Sequence, residues 1–178
     1  MTQAQGEAER IRSYLTTQAN KLSIPDLVGK VRADVAPLKQ VASLIPAERL
    51  NERPAEGEWS AAEVWTHILQ MNDQGARAIT GILDSGQKPE RVTDTISGDT
   101  AGFRSGEEYY ETFLQRREAF LARVSQAKGD EHLDTTIHHA MFGDLTWREW
   151  LLFMRIHDLD HLRQLQGVAA ALGIQEQA

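Results

Sequence analysis

The sequence predicts an all-α protein: a four-helix bundle with an extra helix at its N-terminus. Three observations carry this. Apolar residues recur at helical spacing along most of the chain, and no segment sustains strand-type alternation. Three segments open with the same helix-start signal, a hydroxyl residue followed three positions later by glutamate. One connection between predicted helices is about 20 residues long and rich in Gly, Ser, Thr and Asp, long enough to cross the length of a bundle.

In chain order, residues 7–20 predict a short, weakly amphipathic helix with Ile11 and Leu15 four apart. Pro25 fits the first turn of a second helix reaching about residue 45, with Leu27, Val31, Val35, Leu38, Val41 and Ile45 as its apolar stripe. Pro37 falls inside that helix and predicts a kink or a break. Pro46 and Pro54 bracket a loop. Ser60-Ala61-Ala62-Glu63, Ser105-Gly106-Glu107-Glu108 and Thr146-Trp147-Arg148-Glu149 each match the capping box and start helices over about 61–83, 106–127 and 147–172. Gly173 is the expected stop of the last helix. The crossover 84–105 predicts parallel helices on its two sides, and the second long connection, 129–145, is placed over the end of the bundle. Residues 1–22 read as an N-terminal helical extension and residues 23–178 as the bundle domain.

Composition excludes several functions. The 178 residues are 41% hydrophobic and carry a net charge of −7. One domain with a sizeable core fits this length. No stretch is basic; the nearest thing to a patch is Arg116-Arg117, with acidic residues close by. Nucleic acid is therefore not the expected ligand. There is no cysteine, which removes disulfides, thiolate zinc sites and cysteine nucleophiles. The first residues are polar and acidic, unlike a signal peptide, and no apolar run approaches the roughly 18 residues of a membrane span. A cytoplasmic protein is expected.

The residues that carry chemistry are histidines. His157 and His161 lie four apart on the last predicted helix, so they face the same way roughly 6 Å apart. At 100° per residue both fall in the middle of the apolar stripe formed by Trp150, Phe153, Met154, Leu165, Val168 and Leu172, together with Gln164. His67 falls on the stripe of another helix, with Val64, Ile68, Met71, Gly75, Ile79 and Ile82. A core-facing polar group without a partner costs roughly 1–3 kcal/mol, so these four need partners. Either they satisfy one another inside the core, or the three imidazoles hold one divalent ion with coordination positions left over. His132, His138 and His139 sit in a loop without ligand spacing.

The flanks of these histidines resemble the DinB/YfiT-like superfamily of metal-dependent enzymes. The matching pieces are Gly57-Glu58-Trp59-Ser60-Ala61-Ala62-Glu63-Val64-Trp65-Thr66-His67-Ile68, then Phe142-Gly143-Asp144-Leu145-Thr146-Trp147-Arg148-Glu149-Trp150, then His157-x-x-x-His161-x-Arg163-Gln164-Leu165. The resemblance spans residues 27 to 172, about four-fifths of the chain. It implies an up-down-down-up bundle. It makes His67, His157 and His161 the ligands of one divalent metal ion, nickel or zinc. Its characterised members include thiol transferases that use bacillithiol and maleylpyruvate isomerases that use mycothiol or glutathione; the domain also forms part of ergothioneine-synthesising enzymes. It supplies no substrate for this chain.

Glu63, one turn before His67, is either a general base and orienting group or simply the glutamate of its capping box. Asp158 and Asp160 flank the histidine face and either accept from the outer N–H of a ligand histidine or are solvated surface, and Gln164, on that face, is a candidate to line the pocket or to bond a ligand histidine. Trp59, Trp65, Trp147 and Trp150 read as packing anchors. The leading functional expectation is a metal-dependent enzyme that transfers a low-molecular-weight thiol to an electrophile or performs metal-assisted hydrolysis. The alternatives are a non-catalytic metal-containing small-molecule binder or stress-response protein, and a structural bundle. Expected partners are a small-molecule substrate and a thiol cosubstrate, with a homodimer as one option for assembly, and neither nucleic acid nor membrane.

Overall fold

The computed structural model describes residues 3–93, 100 and 102–174. Its elements are α1 (Gln3–Lys21), α2 (Ile24–Leu44), α3 (Ala61–Ser85), α4 (Gly106–Val124), β1 (Thr136–His139), β2 (Gly143–Thr146) and α5 (Trp147–Ala171), with a single 3₁₀ turn at Ala47–Arg49. No helix among the described residues is long and apolar enough to cross a membrane.

The starts of α3, α4 and α5 fall where the sequence places them, whereas α1 begins four residues earlier than expected, at Gln3, and α4 ends three residues earlier, at Val124. Ser60 and Glu63 close a complete capping box, as do Thr146 and Glu149. At α4, Ser105 accepts from the Glu108 amide, but the Glu108 carboxylate turns away from the cap. It accepts instead from the amide of Arg104 at 2.8 Å and from the Arg104 guanidinium. The expected third box is therefore only half formed, because the neighbouring cation competes for the carboxylate. Gly173, at φ +72°, ends α5: its amide donates to Ala170 and that of Ile174 to Ala169, the paired bonds of a Schellman motif. The expected break at Pro37 does not occur. Helix α2 continues through it, because Val31, Val35, Leu38 and Val41 are all buried, and tertiary packing outweighs the lost hydrogen bond.

Cross-helix contacts give the directions. Thr66 meets Tyr109, Asn72 meets Arg117, and Asp84 meets Arg123, so numbers rise together and α3 runs parallel to α4. Arg32 pairs with Glu118, and a side chain at Gly106 would strike the backbone of Ala42, so α2 opposes α4. His67 meets His157 while Gly75 meets Met154 and Trp150, so α3 opposes α5. This is the up-down-down-up bundle, and the long connection joins its parallel pair.

Two features were not legible in the sequence. Residues 136–146 form an antiparallel hairpin pairing Thr136 with Thr146 and Ile137 with Leu145. Ile137 and Leu145 point into the core while His138 and Asp144 face out; four residues per strand are too few to register as alternation. Helix α1 is also more than an appendage in packing terms. Leu15 and Ala19 are buried in the same cluster as α5 residues, and Arg148 of α5 donates to the Ala19 carbonyl at 2.8 Å, satisfying the end of α1.

The core is in two apolar clusters. One holds Met71, Ile79, Phe120, Trp150 and Met154; the other holds Trp65, Ile68, Tyr109, Phe113 and Leu165. Between them on α3, α4 and α5 lies a buried polar layer of His67, Asn72, Arg117, His157 and Asp158.

Candidate metal centre

Helix α3 presents His67, 2% exposed, and α5 presents His157, 8% exposed, with His161 one turn further on. Antiparallel packing brings the three rings together with centroids 4.2–4.9 Å apart. Each ring directs Nε2 to a common point. His157 Nε2 stands 2.9 Å from His67 Nε2 and 3.0 Å from His161 Nε2.

Hydrogen bonding alone does not account for this convergence. A neutral imidazole nitrogen carries either one proton or one lone pair. His161 Nδ1 lies 2.7 Å from Gln164 Oε1, an acceptor, so Nδ1 is the protonated nitrogen and Nε2 holds the lone pair. A single proton on His157 Nε2 then serves one of its two neighbours at full strength. A shared cation serves all three. Nitrogens bound to one ion at about 2.0–2.1 Å stand about 2.9 Å apart across a right angle and about 3.4 Å across a tetrahedral one, and the observed separations match the first. The donor set therefore fits a divalent ion. Burial, followed by repulsion from His157, pushes the His161 imidazolium down to about 4; the Gln164 bond and Asp160 oppose this more weakly. At neutral pH the ring is uncharged, the form that ligates.

The sequence matches the family pattern of the DinB superfamily over residues 31–165. The chain belongs to the DinB superfamily. Among relatives of this DinB protein is the uncharacterized protein YuaE of Bacillus subtilis (strain 168), 24% identical over 136 residues, which cover 68% of this chain and 83% of YuaE. Its fold is shared by YfiT from Bacillus subtilis, described as a probable metal-dependent hydrolase with an unusual four-helix-bundle topology. The TM-score is 0.69 at 12% identity, over 87% of this chain and 90% of YfiT.

The other candidate residues of this DinB protein lie as follows. Gln164 contacts His161 directly, orienting the ring and fixing its tautomer. Glu63 is occupied at the cap, accepting from the Ser60 amide at 2.8 Å and paired with Arg53. Burial works against its charge, but the Ser60 and Arg53 bonds hold the carboxyl below its ordinary value. The cluster itself is made of imidazoles. Asp160 is exposed. Asp158 is neither solvated nor in contact with a histidine nitrogen in any bond described; it is 3% exposed and ion-paired with Arg117, which is itself 1% exposed. Arg117 is thus no part of a surface patch. Its Nε donates to Asn72 Oδ1 at 2.7 Å.

Sequence reading missed this ion pair, since Arg117 stands beside a surface arginine and nothing in its spacing marks it as buried. It also missed Trp59. Half-buried, its ring lies 5.2 Å from that of His67 and is stacked 6.5 Å from that of His161. Trp65, Trp147 and Trp150 are fully buried anchors. His139, from the hairpin, packs against Phe153, which in turn faces His157 at 6.0 Å. His138 is exposed and paired with Asp144.

Proposed function

We propose that this protein holds one divalent transition-metal ion, nickel or zinc, on His67, His157 and His161 and is a metal-dependent hydrolase of a small-molecule substrate. The observation that carries the reading is the convergence of three Nε2 atoms at 2.9 and 3.0 Å. The description of YfiT as a probable metal-dependent hydrolase supports the reaction class. A bound ion supplies Lewis acidity toward a nucleophile or a carbonyl oxygen. The chain's own contributions are positional. Gln164 fixes the His161 tautomer. Burial keeps the His161 imidazole uncharged at neutral pH. Trp59 walls one side of the cluster and limits access of water.

Transfer of a low-molecular-weight thiol is the second reading. The resemblance to thiol-using members favours it, and the absence of cysteine leaves the thiol to a cosubstrate. Both readings are tested on protein purified without a histidine tag. Elemental analysis is expected to find about one ion per chain and to find it lost in the His157→Ala/His161→Ala double variant. Retention of full metal content by that variant refutes the assignment. Titration of bacillithiol, mycothiol and glutathione into cobalt-loaded protein then separates the reactions. A sulfur-to-metal charge-transfer band moves thiol transfer ahead; an unperturbed spectrum with turnover of ester or amide substrates favours hydrolysis. A loaded protein that turns over neither class is a binder.

A further inference from the structure

Beside the histidines, the α3–α5 seam continues into a recess of about 390 Å³. Met71 and Trp150 line it from the helices, Val92 and Thr93 from the crossover, and His139 and Met141 from the hairpin. Met71 is one turn beyond His67 on α3, and Trp150 is two turns before His157 on α5. Because the helices are antiparallel, both lie in the same direction from the three imidazoles. At 1.5 Å per residue they stand about 6 and 10 Å along the seam from them. The volume is in the range of small-molecule sites.

We propose that this recess receives the apolar end, aryl or short-chain alkyl, of the substrate while its reactive group lies at the histidines. The inference rests on the metal reading above and adds to it the class of substrate. Two observations carry it. The lining is mostly apolar, and Met141 at the rim is 65% exposed, a large hydrophobic side chain left for an occupant to cover. A chain of packed aromatic rings also joins the recess to the histidines: His139 is 5.8 Å from Trp150 and 4.4 Å from Phe153, and Phe153 is 6.0 Å from His157. Backbone amides of Met141 and Phe142 donate to His139 Nδ1 and hold that ring in place.

The test uses the full chain loaded with zinc and titrates acetate, phenylacetate, 4-phenylbutanoate and 6-phenylhexanoate by calorimetry. Affinity is expected to rise with the reach of the phenyl group, the best ligand binding about tenfold or more tighter than acetate through its buried apolar area. Ala140→Trp and Thr93→Trp, which fill the recess from two different walls, are expected to remove that gain while keeping wild-type zinc content and acetate affinity. Equal affinity across the series, or undiminished phenyl binding in both variants, overturns the recess. Failure of the metal reading shows separately, as a wild-type chain without metal by elemental analysis.

Discussion

The guanidinium of Arg117 lies 2.9 Å from the carboxylate of Asp158, with the two side chains 1% and 3% exposed. The second arm of the fork donates at 3.3 Å and Nε donates to Asn72, so one arginine ties α4 to both helices that bear histidines. Asp158 adjoins His157 in sequence. Burying both charges is expensive, and breaking such a pair leaves one uncompensated, at a cost of about 3–5 kcal/mol. Arg117→Met is therefore expected to lower the urea unfolding free energy by about that amount. The double variant Arg117→Met/Asp158→Leu is expected to recover most of it. If the pair sets the histidine spacing, the recovered double variant still binds metal about 10–100-fold more weakly. Full recovery of zinc affinity, measured by chelator competition, would confine the pair to folding.

His161 makes the metal-free protein sensitive to mild acid. The folded imidazolium of His161 is pushed down to about 4 from an ordinary 6.5, so between these values the unfolded chain takes up a proton that the folded chain refuses. Stability from this group is full above about 6.5 and is lost as pH falls toward 4. Carboxylates contribute mainly below about 4.5, so the window from 6.5 to 5 isolates the histidines. Urea midpoints of metal-free protein are expected to fall across that window and to fall less in His161→Gln. An unchanged slope in the variant would remove His161 from the account.

Much of this architecture was legible because it is local. Ser60, Thr146 and Gly173 announce helix ends through bonds made within a few residues. The length of the crossover dictated the parallel pair. The histidines were legible because their apolar neighbours give a helix face, and four polar residues on such faces stand out. Arg117 and Trp59 were not, because their roles depend on which helices meet. Arg117 borders the polar layer only once α3, α4 and α5 are aligned, and Trp59 reaches His161 across about 100 residues of chain. The competition of Arg104 for Glu108 was invisible for a different reason: two local motifs overlap, and sequence alone does not rank them.

Trp59 provides an optical report on the cluster. It is the tryptophan in ring contact with both His67 and His161, whereas Trp147 lies elsewhere, its Nε1 bonded to the Glu131 carbonyl at 2.8 Å. Binding of cobalt at the histidines is expected to quench tryptophan emission, and Trp59→Phe is expected to remove the largest share of that quenching. Trp147→Phe serves as the control. Equal quenching in the two variants would place the ion away from Trp59.

The close approach of α2 and α4 depends on Gly106. A Cβ built there would lie 2.2 Å from the carbonyl oxygen of Ala42 and 3.0 Å from its carbon. These are backbone atoms, so no side-chain rotation relieves the clash, and the first turn of α4 must move outward. Tyr109 and Tyr110 follow within that turn, and the Tyr109 hydroxyl donates to Thr100 at 2.8 Å and lies 3.3 Å from Thr66. Displacing the turn therefore disturbs the anchoring of the crossover against α3, close to His67. Gly106→Ala is expected to destabilise the protein by about 1–3 kcal/mol, the range for overpacking, although alanine is the better helix former. Gly75→Ala is the contrasting case. Its Cβ would meet the sulfur of Met154 at 2.7 Å, the far end of a flexible side chain, and the Trp150 nitrogen at 3.0 Å. Met154 can shift, so the smaller loss is expected there. Urea denaturation of the two variants checks the order, and a Gly106→Ala protein as stable as wild type would show that α4 does not pack against α2 at this distance.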